Sequence, residues 1–240
     1  MKRDIDVYTT LLSLSEDEVR GKTVIVIDVL RASSTIITAM HRGARSVIAV
    51  EDMGEASRIA QNLDPTRRLL CGERDGKLIE GYDLGNSPSE YTDELVADKT
   101  LIFTTTNGTK AIARSSLADR VIIAGFLNAD AVADAVKQAE GEVIMVCAGW
   151  KGRLSLEDVL CAGYIVNSFY DGQLPETAKD GAKVAMGLFE RFSDRLYEVV
   201  AATNHAKRLQ EMGYAEDIGY CCALNTVNIV PEVVEGVIKI

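Results

Sequence analysis

Three short stretches of the chain combine residues able to hold a phosphate and a cation, and each follows or flanks a run of apolar, largely β-branched residues. The first is Asp28-Val29-Leu30-Arg31-Ala32-Ser33-Ser34-Thr35, directly after Thr23-Val24-Ile25-Val26-Ile27. A carboxylate suits a hard divalent cation, while a guanidinium and free helical N–H groups suit a phosphate. The second stretch is Thr104-Thr105-Thr106-Asn107-Gly108, and the third is Lys151-Gly152-Arg153, followed by Glu157 and Asp158. Between the first two, a polar loop from Gly72 to Pro88 adds Glu73, Arg74, Asn86 and Ser87. A loop of that length inside a compact domain is more often functional than idle. Oxygen ligands for a cation, with several donors for phosphate oxygens, are the requirements of phosphoryl transfer. Each group also has a plainer reading. Asn107-Gly108 suits a bare turn, Asn86-Ser87-Pro88 a helix entry, and Glu157-Asp158 a solvated first helical turn. Their joint occurrence after successive strands favours a site.

Cys147-Ala148-Gly149-Trp150-Lys151-Gly152-Arg153 has the Cys-x5-Arg spacing of cysteine-dependent phosphatases, in which a thiolate attacks phosphorus and the Arg holds its oxygens. Val146 precedes the cysteine where a His is usual, and Leu154 follows the arginine where a hydroxyl is usual. The only histidines, His41 and His205, lie far apart in sequence, which argues against a His-based triad or a zinc cluster. Several acids without paired histidines favour Mg2+ over Zn2+.

The elements that must position these groups read as repeated strand–turn–helix units. Strands are expected over 5–8, 23–27, 45–50, 68–71, 99–104, 120–124 and 142–147. Helices are expected from 15–18 onward and over 36–41, capped by Ser33, Ser34 and Thr35, then over 54–63 and 155–170. The unit around 23–50 resembles the one around 99–124, with Asp28 opposite Thr104, Arg31 opposite Asn107 and Ala32 opposite Gly108. Residues 175–212 are helical in pattern throughout, with an apolar stripe that serves as core or as a subunit interface, so a homodimer is compatible with it. The stretches 217–224 and 229–240 read as short strands. Serial units of this kind imply an α/β fold: a largely parallel sheet with flanking helices, and a site in a cleft at the strand carboxyl ends.

With 240 residues, 47% of them hydrophobic, the chain can bury a sizeable core as a single domain over 1–240 or as two closely joined lobes. It carries 26 basic and 36 acidic residues, net −10, with no long basic block, which excludes nucleic acid as an expected partner. A small anionic substrate therefore needs local cations. Five cysteines without CxxC spacing suit reduced thiols. The N-terminal stretch lacks an apolar signal core, and no apolar run is long enough to span a bilayer, so a soluble cytoplasmic protein is expected, with no membrane partner.

Five segments in order resemble the 2-phosphosulfolactate phosphatases of coenzyme M biosynthesis and their bacterial relatives. They are Asp28-Val29-Leu30-Arg31-Ala32-Ser33-Ser34-Thr35, Gly72-Glu73-Arg74, Asp83-Leu84-Gly85-Asn86-Ser87-Pro88, Thr105-Thr106-Asn107-Gly108-Thr109, and Cys147-Ala148-Gly149 with the segment Ser155 to Gly163. Asp217-Ile218 extends the match toward the C-terminus. The resemblance implies a magnesium-dependent phosphatase that cleaves (R)-2-phospho-3-sulfolactate to 3-sulfolactate and phosphate. It does not imply an aspartyl phosphatase of the haloacid-dehalogenase type, since Leu30 stands where that type carries a second Asp. Residues and resemblance together give catalytic candidates Asp28, Arg31 and Glu157, and metal candidates Asp28, Glu73, Glu157 and Asp158. Substrate-binding candidates are Ser33, Arg74, Asn86, Ser87, Thr105, Thr106, Asn107, Gly108, Lys151 and Arg153. Arg31 and at least one of Arg74 and Arg153 are expected to face the same small volume as Asp28. The competing readings are a metal-independent cysteine phosphatase using Cys147 and Arg153, and a non-catalytic binder of phosphorylated metabolites.

Overall fold

In the computed structural model, which describes residues 4–138 and 141–240, the chain forms one ten-stranded sheet with helices on both faces. Met1 to Arg3, at the head of the stretch without a signal core, lie outside the described residues. No described helix is long and apolar enough to cross a membrane.

The elements follow in chain order: β1 (Ile5–Tyr8), β2 (Thr23–Ile27), α1 (Ala32–His41), β3 (Ser46–Ala49), α2 (Met53–Gln61), β4 (Arg68–Arg74), β5 (Lys77–Leu78) and α3 (Asp93–Val96). Next come β6 (Thr100–Thr104), α4 (Gly108–Arg114), β7 (Arg120–Ala124), α5 (Ala129–Lys137), β8 (Val143–Cys147), α6 (Leu156–Phe169) and α7 (Asp180–Phe192). The last are α8 (Leu196–Ala201), α9 (Asn204–Glu211), α10 (Ala215–Cys221), β9 (Glu232–Val234) and β10 (Val237–Lys239). The strand order is β1-β8-β2-β7-β9-β10-β3-β6-β4-β5.

β2 is buried along its whole length because side chains from both faces of the sheet enter cores. Ile25 and Ile27 join the core beneath α5, α6 and α7, while Val24 and Val26 join the core around α1 and α4. That two-sided burial is why the run shows no polar alternation. β1, β8, β2 and β7 form one parallel block, and β3, β6 and β4 form another. The hairpin β9–β10 joins them by three antiparallel pairings, so the blocks run in opposite directions. The two similar units exchange partners across this junction: β2 pairs with β7, and β3 with β6. Their helices meet at matching positions, since a Cβ placed on Gly108 would lie 2.5 Å from Ala32 Cβ.

Five expectations are corrected. Helix α1 starts at Ala32, four residues early, so Ser33, Ser34 and Thr35 sit inside its first turn instead of capping it. Their hydroxyls secure the turn: Ser33 Oγ accepts from the Asp28 N–H, Ser34 donates to Val29 O, and Thr35 donates to Asn86 O. β4 continues through Arg74, placing Glu73 and Arg74 on a strand and not in a loop. The stretch 175–212 is three helices broken at Ser193–Arg195 and at Thr203, whose hydroxyl caps α9. Residues 215–221 form α10, not a strand, burying Asp217, Ile218 and Cys221 on one side. The helix start at Ser15 is a short 3-10 turn, closed by Glu18 accepting from the Ser15 N–H at 2.7 Å.

Candidate active site

A cavity of about 260 Å3 opens where the turns after β2, β6 and β8, the β4–β5 hairpin and α9 converge. Asp28 stands on its wall, 6% exposed. Burial pushes the carboxyl up to about 7; His205 opposes the rise, while Glu73 and Glu157 add to it. Gly108 is packed so tightly against this group that an added Cβ would lie 2.7 Å from Asp28 Oδ2. Gly108 is therefore a spacer that leaves room for the carboxylate.

The other expected acids are spoken for to different degrees. Glu73 lines the cavity but ties the β4–β5 hairpin to the β6 turn, accepting from the Thr106 N–H at 2.7 Å and the Gly76 N–H at 2.6 Å. Asp158 accepts from the N–H groups of Val29 (2.8 Å) and Gly149 (3.1 Å), lacing the β2 and β8 turns together. Its carboxyl is held well above the usual range by burial first and by Asp28 and Glu157 next. Glu157 is fully buried; its Oε1 lies 2.9 Å from His205 Nδ1, and its Oε2 has no partner.

Arg31 lines the cavity and is 3% exposed. Its guanidinium donates to Asp217 at 2.6 Å, reaches Gly76 O at 3.4 Å, and lies 4.1 Å above the Tyr214 ring. Ser87 Oγ donates to the other Asp217 oxygen at 2.6 Å, so Ser87 acts through this network. Asn86, Thr106, Asn107 and Lys151 also line the cavity. Ser33 lies behind Asp28, and Thr105 closes the first turn of α4 by exchanging hydrogen bonds with Thr109. The expected second arginine is neither Arg74 nor Arg153. Arg74 is drawn away to Thr104 Oγ1 and Glu51 O, and Arg153 sits in a neighbouring hollow with Leu156 and Thr203.

Sequence reasoning missed α9. His205, Arg208, Leu209 and Met212 all line the cavity, and their i, i+3, i+4, i+7 spacing marks one helical face. The apolar stripe that marks 175–212 in the sequence ends at Val200, so nothing in it singles out this face. His205 also stacks on Trp150, with ring centroids 5.1 Å apart.

The cysteine reading lacks its cradle. Cys147 is fully buried, and burial, then Asp158, Cys161 and Glu157, hold its thiol well above the usual range. The N–H groups that would face a phosphate donate inward instead: Ala148 to Ile27 O, Gly149 to Asp158 and Trp150 to Arg153 O. Cys147→Ser is expected to keep most of the activity, measured as phosphate release. A folded but inactive variant would restore the thiol to the reaction.

Whether a magnesium ion suits this site can be judged from the donors. Asp28 and Asp158 are held up by burial first and then by neighbouring acids, Glu73 and Glu157 for Asp28, Asp28 and Glu157 for Asp158, and both Glu157 Oε2 and Asn86 Oδ1 are buried without partners. Such an oxygen-only set fits a hard cation. Among the described residues no three Asp, Glu, His or Cys side chains converge on one point. The set therefore fits an ion that takes one or two protein carboxylates and completes its shell with water and phosphate oxygens, as magnesium does.

A mixed acid and cation cavity at strand carboxyl ends of an α/β sheet is the setting of a phosphoric monoester hydrolase, and the comparisons with known proteins give that class. Residues 8–236 match the family model described as 2-phosphosulpholactate phosphatase. The chain belongs to that family. It is similar to proteins named "Probable 2-phosphosulfolactate phosphatase" from Caldanaerobacter subterraneus subsp. tengcongensis (39% identical over 98% of this chain and 97% of the relative) and Clostridium acetobutylicum (38%, over 97% and 98%). A third such relative, from Symbiobacterium thermophilum, is 40% identical over 92% of this chain and 94% of its own length.

Proposed function

We propose that this enzyme hydrolyses 2-phospho-3-sulfolactate to 3-sulfolactate and inorganic phosphate with the help of Mg2+. The observation that carries the reading is the match of nearly the whole chain to one phosphatase family, joined to a cavity lined by Asp28 together with Arg31, Lys151 and Arg208. Water adds to phosphorus, the ester P–O bond breaks, and the leaving oxygen takes a proton to become the hydroxyl of sulfolactate. Asp28 heads the residues that would hold magnesium, with Glu73 and Asn86 Oδ1 beside the same cavity. When bound, the ion supplies positive charge to the phosphate oxygens and acidifies water.

The chain's own groups do the rest. Glu157 Oε1 accepts from His205 Nδ1–H and fixes the ring, and in the imidazolium form, with both nitrogens protonated, Nε2–H is the proton given to the leaving oxygen. The Arg31–Asp217 pair holds one wall rigid, and the buried turn N–H groups keep Asp28 in place. An unaided monoester hydrolyses so slowly that positioning and charge must together lower the barrier by on the order of 20 kcal/mol. Phosphate release from a panel of phosphorylated hydroxy acids, with and without EDTA, tests the reading. Release from phosphosulfolactate that EDTA abolishes and added Mg2+ restores is the expected result. EDTA-resistant release would remove the metal, and binding without turnover would remove the catalysis.

A further inference from the structure

The charged residues around the cavity differ in burial, and one acid, Asp75, is exposed like the outer cations. Asp28, Glu73 and Arg31 are buried at its inner end, and Glu73 and Arg31 are already committed to protein partners. The cations at the mouth are different. Lys151 is exposed, and its backbone takes the left-handed conformation (φ 53°), which sets its ammonium 4.6 Å above the Trp150 ring. Among the described residues no carboxylate lies within ion-pair distance of it. Arg208, on the cavity face of α9, has one ion pair, a loose 3.8 Å contact with Glu211 one turn along the helix. Both of those side chains are largely exposed, so the contact is weak and easily surrendered. Two exposed cations therefore line the cavity from separate elements, the β8 turn and α9, neither held by a close ion pair.

We infer that Lys151 and Arg208 bind the non-reacting anionic tail of the substrate while its phosphoryl group lies inward beside Asp28. The inference rests on the proposed phosphatase reading and adds to it the residues that select a multiply charged substrate over a plain phosphate ester. Arg208 offers the planar fork that matches a carboxylate or sulfonate, and Lys151 offers a point charge already held in place by the indole.

The experiment compares phosphosulfolactate with phenyl phosphate, which has no anionic tail, in the wild type and in Arg208→Ala, Arg208→Lys and Lys151→Ala. In Arg208→Ala the KM for phosphosulfolactate is expected to rise about tenfold more than the KM for phenyl phosphate. Arg208→Lys is expected to recover part of that difference. Calorimetric titration with the product 3-sulfolactate should show a matching loss of affinity, independent of turnover. If the wild type hydrolyses phosphosulfolactate but both KM values move in step, or 3-sulfolactate binds each variant as tightly as the wild type, the tail assignment is overturned and the phosphatase reading stands. If the wild type leaves phosphosulfolactate intact, the substrate reading falls and takes this inference with it.

Discussion

Asp28→Asn is expected to abolish at least 99% of phosphate release while making the metal-free protein more stable above neutral pH. The loss follows from removing the leading carboxylate expected to meet the metal or the transition state, an effect of about a hundredfold or more. The gain follows from burial. The folded Asp28 carboxyl titrates at about 7, against an ordinary value of 3.8. Between those values the folded chain holds a proton that the unfolded chain has released. Stability from this group is thus complete below about pH 4 and is lost as pH rises through 7. An amide has no proton to lose, so the variant escapes a penalty of up to a few kcal/mol at pH 8, or several degrees in Tm. Asp158, raised in the same direction, leaves some slope behind. Thermal unfolding in EDTA at pH 5.5 and pH 8 checks this. Wild-type activity in the variant, or an unchanged pH slope, would remove Asp28 from the centre of the site.

Arg31→Lys, though it keeps the charge, is expected to cost about a hundredfold in kcat/KM and several degrees in Tm. The guanidinium meets Asp217, Gly76 O and the Tyr214 face at once, with 3% of the residue exposed. An ammonium can satisfy one of these, leaving a buried carboxylate or carbonyl without its donor at a cost of about 1–3 kcal/mol. Asp217→Asn should then show much the same defect, and the double variant should lose far less than the sum, because both act through one contact. Additive losses in the double variant would mean that Arg31 serves the substrate separately from Asp217.

The parts of the fold legible in the sequence were those with a strong local signal. The run Thr23 to Ile27 could only be a strand buried on both faces, and the turn Asp28 to Arg31 follows from its end. Pairings were not legible, since β2 meets β7 instead of its own neighbour β3, and nothing local encodes an exchange between two similar units. The same limit governed the site. Asp28, Thr106, Asn107 and Lys151 follow strands and could be found by that rule, while Asn86 stands out only through the long loop that carries it. Arg74 has the right type and the right strand, but the competing acceptors Thr104 and Glu51 decide its direction. The distance in sequence between His205 and the other histidine, His41, argues against a His-based site, but the partner of His205 is a buried glutamate from α6. Asp217 was flagged as part of a motif without a role, because its partner lies 186 residues away.

The hairpin β9–β10 has a consequence for the order in which the molecule can be assembled. Every other strand precedes it in the chain, yet it fills the middle of the sheet between β7 and β3. During synthesis the two parallel blocks can form early, but each presents a bare strand edge until residues 232–239 emerge. Exposed edges of that kind recruit other strands. A nascent chain of this family therefore carries two self-adhesive borders through most of its translation, and a stop or frameshift shortly before residue 232 would leave them open for good.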